Sequence, residues 1–266
     1  MKRTIKRPTY TIIAGSNGAG KTTLREIFKE LIVGKIIDPD LISKKLDKNL
    51  PQSKRDILAG RQAIKLSKEF LKDKESFCQE TTLSGKCLNI NKNIELAKLQ
   101  GYNVRLIYIA IQDPNMAIKN IKDRVNSGGH NIPNEKVLSR FNQSYDNLKE
   151  ISKKVDEITI VDNSNKDYNK IIEIKNGHVK YKNNEIPEWL QETTGKVIEN
   201  SRIREEKVVK VKEKDFNKIK NCNFPIRVNP FDIELGAALL TVLIPKEIIK
   251  NIEKTLNLDL GFSRDR

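Results

Sequence analysis

Residues 15 to 22 read Gly15-Ser16-Asn17-Gly18-Ala19-Gly20-Lys21-Thr22, between a strand-like run, TYTIIA at 9–14, and a helix-like run at 21–32. A loop that wraps phosphate needs glycines where backbone amides turn inward, a lysine to bridge the β- and γ-phosphates, and a hydroxyl for Mg²⁺. Here Gly15, Gly18 and Gly20 free the backbone, Lys21 is the cation and Thr22 the metal-ligating hydroxyl. Thr23 begins a helix whose positive end faces the phosphates. Residues 15–23 are therefore expected to bind ATP with Mg²⁺, which points to a phosphotransferase. Lys21 is expected to face solvent while the loop is empty.

Outward from this loop, apolar runs recur at 9–14, 35–38, 76–80, 104–111 and 157–162. Between them, residues 21–32, 55–74, 86–100 and 114–126 place apolar side chains three or four apart among Lys and Glu, the spacing of amphipathic helices. Strand and helix in alternation predict right-handed βαβ units and a parallel sheet. At 171–182 the text IIEIKNGHVKYK places Asn176-Gly177 between two short alternating runs, a two-residue hairpin signal. The expected fold is α/β, a P-loop kinase-like parallel sheet flanked by helices, with a helical lid, a terminal β-hairpin and a small C-terminal appendage. We divide the chain into a domain at 1–190 and a linker plus small extension at 191–266. Just past Trp189, ETTGKVIENSRIREEK reads as a linker or an exposed helix. The tail carries an apolar segment, GAALLTVLI, and Pro245 ahead of a helix, with no catalytic motif.

Composition narrows the function. No run approaches the roughly 18–20 apolar residues of a membrane span, and the N-terminus enters a strand without a secretory apolar core, so a cytoplasmic protein is expected. Cys78, Cys87 and Cys222 form neither a paired ligand motif nor an even disulfide set and are assigned to packing. The net charge of +15 favours phosphate-bearing partners. Its lysines are scattered along the chain, however, and only 6% of residues are aromatic, which disfavours nucleic acid as the partner.

In a parallel sheet, ligands bind at the carboxyl ends of strands. Asp38-Pro39-Asp40 ends the second predicted strand. Asp40 is placed to take a proton from an acceptor hydroxyl, or else to cap the helix that starts LISKKL; Asp38 is assigned to capping or turn-making. Glu80 ends the third strand, where it orients a sugar hydroxyl or the water shell of Mg²⁺, and Thr81 stands beside it on the substrate side unless Thr81 or Thr82 is a cap. Arg61 is assigned to a solvated helix face. In KDRVNSGGHNIPNEKVLSR at 122–140, a Gly128-Gly129 turn separates two helices, as a lid over ATP would require. Arg124 and Arg140 flank that turn, either to neutralise charge on the transferring phosphoryl group or as ordinary helix-surface residues. His130 is assigned a hydrogen bond within the lid.

Taken together, GSNGAGKTT, DPDLIS, ETTLSG, RVNSGGHNIP followed by SRF, and DNS at 162–164 resemble the zeta toxin family of bacterial kinases over roughly residues 8–190. The resemblance implies a fold like that of nucleoside monophosphate kinases. It also implies phosphorylation of the 3′-hydroxyl of UDP-N-acetylglucosamine, and an antitoxin as protein partner. By position, Lys21 and Thr22 then serve ATP and Mg²⁺, Asp40 is the base, Glu80 the substrate-side carboxylate, and Arg124 and Arg140 the lid arginines. The competing classes are a nucleic-acid end kinase, supported by charge alone, and a non-catalytic nucleotide switch, which would need no acceptor base.

Overall fold

The computed structural model describes residues 7–126, 132–202, 206–221, 226–234, 237 and 239–256. The first half runs β1 (Thr9–Ala14), α1 (Lys21–Ile27), β2 (Lys35–Ile37), α2 (Pro39–Lys45), α3 (Gln52–Asp73), β3 (Phe77–Thr81), α4 (Leu88–Leu99) and β4 (Asn103–Ala110). It continues through α5 (Pro114–Asn126), α6 (Asn134–Ile151), β5 (Glu157–Asp162), β6 (Asn169–Lys175), β7 (His178–Lys182) and α7 (Glu188–Arg202). The tail holds β8 (Glu206–Lys212), α8 (Glu213–Asn221), β9 (Arg227–Val228), α9 (Pro230–Glu234), β10 (Leu239–Pro245) and α10 (Lys246–Leu256).

The main sheet has the order β2-β3-β1-β4-β5-β6-β7. The first five strands in that order pair in parallel, while β6 and β7 add antiparallel. Strands covered on both faces should be apolar without interruption, and β1 and β4 are buried along most of their length. Side chains still alternate between two cores. Tyr10, Ile12 and Ala14 pack with Phe77, Leu106 and Tyr108 on one face; Ile13 packs with Leu24, Ile107 and Phe141 on the other. Cys78 is buried in that second core; Cys222 lies outside the described residues. The Asn176-Gly177 turn joins β6 to β7 with φ of 52° and 79°, the conformation the dipeptide was expected to supply.

Two stretches differ from expectation. Residues 191–202, expected as a linker or exposed helix, belong to α7, whose Leu190, Thr194 and Val197 are buried. Leu190 and Val197 join the first core, so the helix runs across the position assigned to a boundary. The helix after the phosphate loop is also shorter than its apolar pattern, ending at Ile27 before a 3₁₀ turn at Lys29–Leu31. In the tail, β8-β10-β9 form a separate antiparallel sheet over a core that includes Val242, Ile244, Ile249 and Ile252. The tail meets α4 through an Arg227–Glu95 ion pair at 2.7 Å and a hydrogen bond from Gln100 Nε2 to Asn229 Oδ1 at 3.1 Å. No described helix is long and apolar enough to cross a membrane.

Candidate active site

The loop between β1 and α1 is shaped by close backbone approach. Gly18 has φ of 76°, and a Cβ there would sit 2.5 Å from the Ala117 carbonyl oxygen. At Gly20, φ is 95° and a Cβ would meet Asn163 Nδ2 and the Tyr168 hydroxyl at 2.5 and 2.6 Å, so neither position accepts a side chain without displacement. Three carbonyls of the loop are tied from outside it. Asn120 Nδ2 donates to Gly18 O at 2.9 Å, Asn163 Nδ2 to Ala19 O at 2.9 Å and Tyr168 Oη to Gly20 O at 2.8 Å.

Lys21 departs from expectation. Its side chain is buried rather than solvent-facing, because Nζ turns back to donate to the Gly15 and Ser16 carbonyls at 2.9 Å each. Burial pushes its ammonium below the ordinary lysine range, against the pull of Glu80 and Asp40, while Arg124 adds to the lowering. A phosphate in the loop would offer this cation a charged partner in place of two neutral carbonyls.

The ends of β2 and β3 carry the carboxylates. Asp38 caps α2, its Oδ1 accepting from the amides of Asp40 and Leu41 at 2.9 and 3.2 Å, with Pro39 at the first helical position. Asp40 is therefore not the cap. Its side chain is exposed in the first turn of α2 and faces the cavity. Glu80 accepts from Thr22 Oγ1 at 3.4 Å and from Arg25 at 3.2 Å. Burial raises its carboxyl above the usual range, with Lys21 and Arg25 opposing. Thr81 Oγ1 accepts from the Leu83 amide at 3.1 Å and holds the turn after β3.

These groups converge on one cavity of ≈ 900 Å³. Asn17, Gly18, Gly20, Lys21, Thr22, Thr23, Asp40, Glu80, Thr81, Arg124 and Arg140 all line it. Gly15, Ser16 and Ala19 lie buried and outside its lining. Arg124 is in the last turn of α5. Arg140, on α6, donates to Asn17 Oδ1 at 3.3 Å. Gly128, Gly129 and His130 lie outside the described residues. Arg61 is exposed and is not part of the cavity lining. Cys87 lines the cavity, its thiol pushed up to about 11 by burial, which makes it a poor nucleophile.

Sequence reasoning missed Arg25, Asn120 and Tyr168. Asn120 lies on a helix pattern with no local sign of a loop partner, and Tyr168 follows β5 in a turn with φ of 51°. Among the described residues no three His, Cys, Asp or Glu side chains are grouped to hold a metal. A Mg²⁺ ion held largely by nucleotide phosphates, with the Thr22 hydroxyl as protein ligand, fits this donor set.

The family model described as Zeta toxin matches residues 1–173. An uncharacterized protein of Haemophilus influenzae is 40% identical over 129 residues, covering 48% of this chain and 88% of that protein. Among solved structures, a chain of the PezAT chromosomal toxin-antitoxin system of Streptococcus pneumoniae aligns with TM-score 0.50 and 19% identity, covering 73% of this chain and 87% of that one. A chain of the AvrRxo1-ORF1:-ORF2 structure with ATP gives 0.55 and 14%, over 81% and 71% of the two chains. At these identities the structural likeness speaks for a shared fold. With the phosphate loop in place at the carboxyl end of the interior strand β1 and the family match running over residues 1–173, the chain belongs to the zeta toxin family.

Proposed function

We propose that the chain is an ATP-dependent kinase that transfers the γ-phosphoryl group to a hydroxyl of a small acceptor. The acceptor is the 3′-hydroxyl of UDP-N-acetylglucosamine, the activity is toxic, and an antitoxin restrains it. The observation that carries the kinase reading is the meeting, in one cavity, of Lys21 and Thr22 with the carboxylates of Asp40 and Glu80.

In this assignment Lys21 bridges the β- and γ-phosphates. Mg²⁺, held by those phosphates and Thr22, would offset their negative charge. Asp40 accepts the acceptor's hydroxyl proton as that oxygen bonds to the γ-phosphorus, and the bond to the β,γ-bridging oxygen breaks to release ADP. Arg124 and Arg140 reach the equatorial oxygens, where charge is spread in the transition state. Glu80 accepts a hydrogen bond from the acceptor.

Support for a sugar acceptor comes from the acceptor wall, which presents Asp56, Gln79, Thr81, Thr82, Ser84 and Asn89, side chains that pair with hydroxyl groups. Residues Leu88 to Ile90 of α4 also line this side. That helix has no acidic residue in its first turn, which suits the diphosphate of a nucleotide sugar.

Incubation with ATP, Mg²⁺ and a panel of nucleotide sugars, followed by mass analysis, tests this function. The expected product is UDP-N-acetylglucosamine heavier by one phosphoryl group. Transfer to a different hydroxyl compound would keep the kinase and replace the acceptor; no transfer to any acceptor would remove the kinase reading.

A further inference from the structure

Arg25 stands on α1 one turn beyond Lys21 and is 8% exposed. Its Nη1 donates to Asp38 Oδ2 at 3.1 Å and to Glu80 Oε2 at 3.2 Å. Those carboxylates end neighbouring strands, β2 and β3, and their side chains are only 6% and 12% exposed. Each has its second oxygen engaged elsewhere. Asp38 Oδ1 holds the first-turn amides of α2, and Glu80 Oε1 accepts the Thr22 hydroxyl. This guanidinium joins two strand ends to the helix that bears Lys21 and Thr22.

We infer that Arg25 is the positioning residue that holds the acceptor carboxylates in register with the phosphate loop. Glu80 is held directly. Asp40 is held through its neighbour, because the Arg25–Asp38 contact anchors the cap that fixes the start of α2, and Asp40 lies in that first turn. Arg25 does not line the cavity, so it acts through these two carboxylates and not on substrate. The inference rests on the kinase reading above.

The test compares wild type with Arg25→Met, Arg25→Lys and Arg25→Met/Asp38→Asn. The readouts are the melting temperature, the Kd of Mg·ATP, and kcat and KM for transfer to UDP-N-acetylglucosamine, or to whichever hydroxyl acceptor the mass panel identifies. A displacement of about 1 Å at reacting groups costs on the order of 100-fold. Arg25→Met should therefore lower kcat by about that factor and leave the Kd of Mg·ATP within about threefold. Arg25→Lys, which keeps the charge and one donor nitrogen but places it on a shorter side chain, short of the position Nη1 holds between the two carboxylates, should recover part of kcat.

The double variant removes one of the two carboxylate charges left unpaired, and Asn still caps α2. It should regain melting temperature and not kcat. If kcat returns along with stability, or if Arg25→Met transfers at the wild-type rate, the role is structural and the inference is wrong. Should Arg25→Met fail to fold, Arg25→Lys decides: wild-type kcat and KM in that variant would overturn positioning by a donor held at the place of Nη1. Loss of transfer in the wild type itself is a separate outcome, which overturns the kinase reading and the inference with it.

Discussion

The two sides of the cavity are built in opposite ways. The cavity's charges come from two sets of elements: Lys21, Arg124, Lys136, Arg140 and Lys166, with Asp123 among them, from α1, α5, α6 and the segment after β5, and Asp38, Asp40, Asp56 and Glu80 from the ends of β2 and β3 and from α2 and α3. One side is organised to gather phosphate charge and the other to direct hydrogen bonds and take a proton. Their construction differs as well. The phosphate loop is one continuous segment shaped by its own glycines and tied by Asn120, Asn163 and Tyr168. Separate strands supply the acceptor side, and the buried Arg25 bridges them. The contrast locates fragility: damage to the loop should cost nucleotide chemistry outright, and damage to the acceptor side should spare nucleotide binding.

The largest effect is expected at the centre of the nucleotide side. Lys21→Ala removes the cation closest to the transferring group and should lower ATP turnover by on the order of 10³-fold or more. The fold should survive, since the loss is two hydrogen bonds to loop carbonyls; a thermal melt beside the turnover assay checks both. Wild-type turnover would break the assignment of the phosphate site.

Asp40→Asn tests the acceptor side by itself. Phosphoryl transfer should fall by roughly 10²- to 10⁴-fold, the range for losing a positioned general base, with Mg·ATP affinity unchanged in calorimetry. Near-normal transfer would leave Glu80, Asp56 or the substrate's own phosphate to take the proton. If nucleotide affinity fell in parallel with transfer, the two sides would not be separable.

Arg124→Ala and Arg140→Ala should each lower kcat by about 10- to 100-fold and change ATP affinity less, because their contacts strengthen as charge develops on the phosphoryl group. Equal losses in both quantities would place these arginines in ground-state binding.

The smallest change is expected for Tyr168→Phe, which removes only the hydroxyl that ties Gly20 O. A hydrogen bond of this kind contributes about 1 kcal/mol, so the melting temperature should drop by a few degrees. Nucleotide affinity should weaken by less than about tenfold. An unchanged melting temperature would mean that Asn120 and Asn163 hold the loop without it.

By itself the sequence determined what depends on short-range pattern. The phosphate loop was legible because glycine spacing, Lys21 and Thr22 act through adjacent backbone, and the parallel order because both-sided burial demands unbroken apolar runs in β1 and β4. The β6–β7 turn was legible because Asn-Gly adopts positive φ at low cost. Only the tertiary structure decided which residues separated along the chain would meet. It turned Lys21 inward against Gly15 and Ser16, and buried one face of a stretch that local polarity had suggested was a linker or an exposed helix. It also set Arg25 between two acids 13 and 55 residues away. Buried charges are paired across the fold by the demand for compensation in a low-dielectric interior, and that demand leaves no local mark on the sequence.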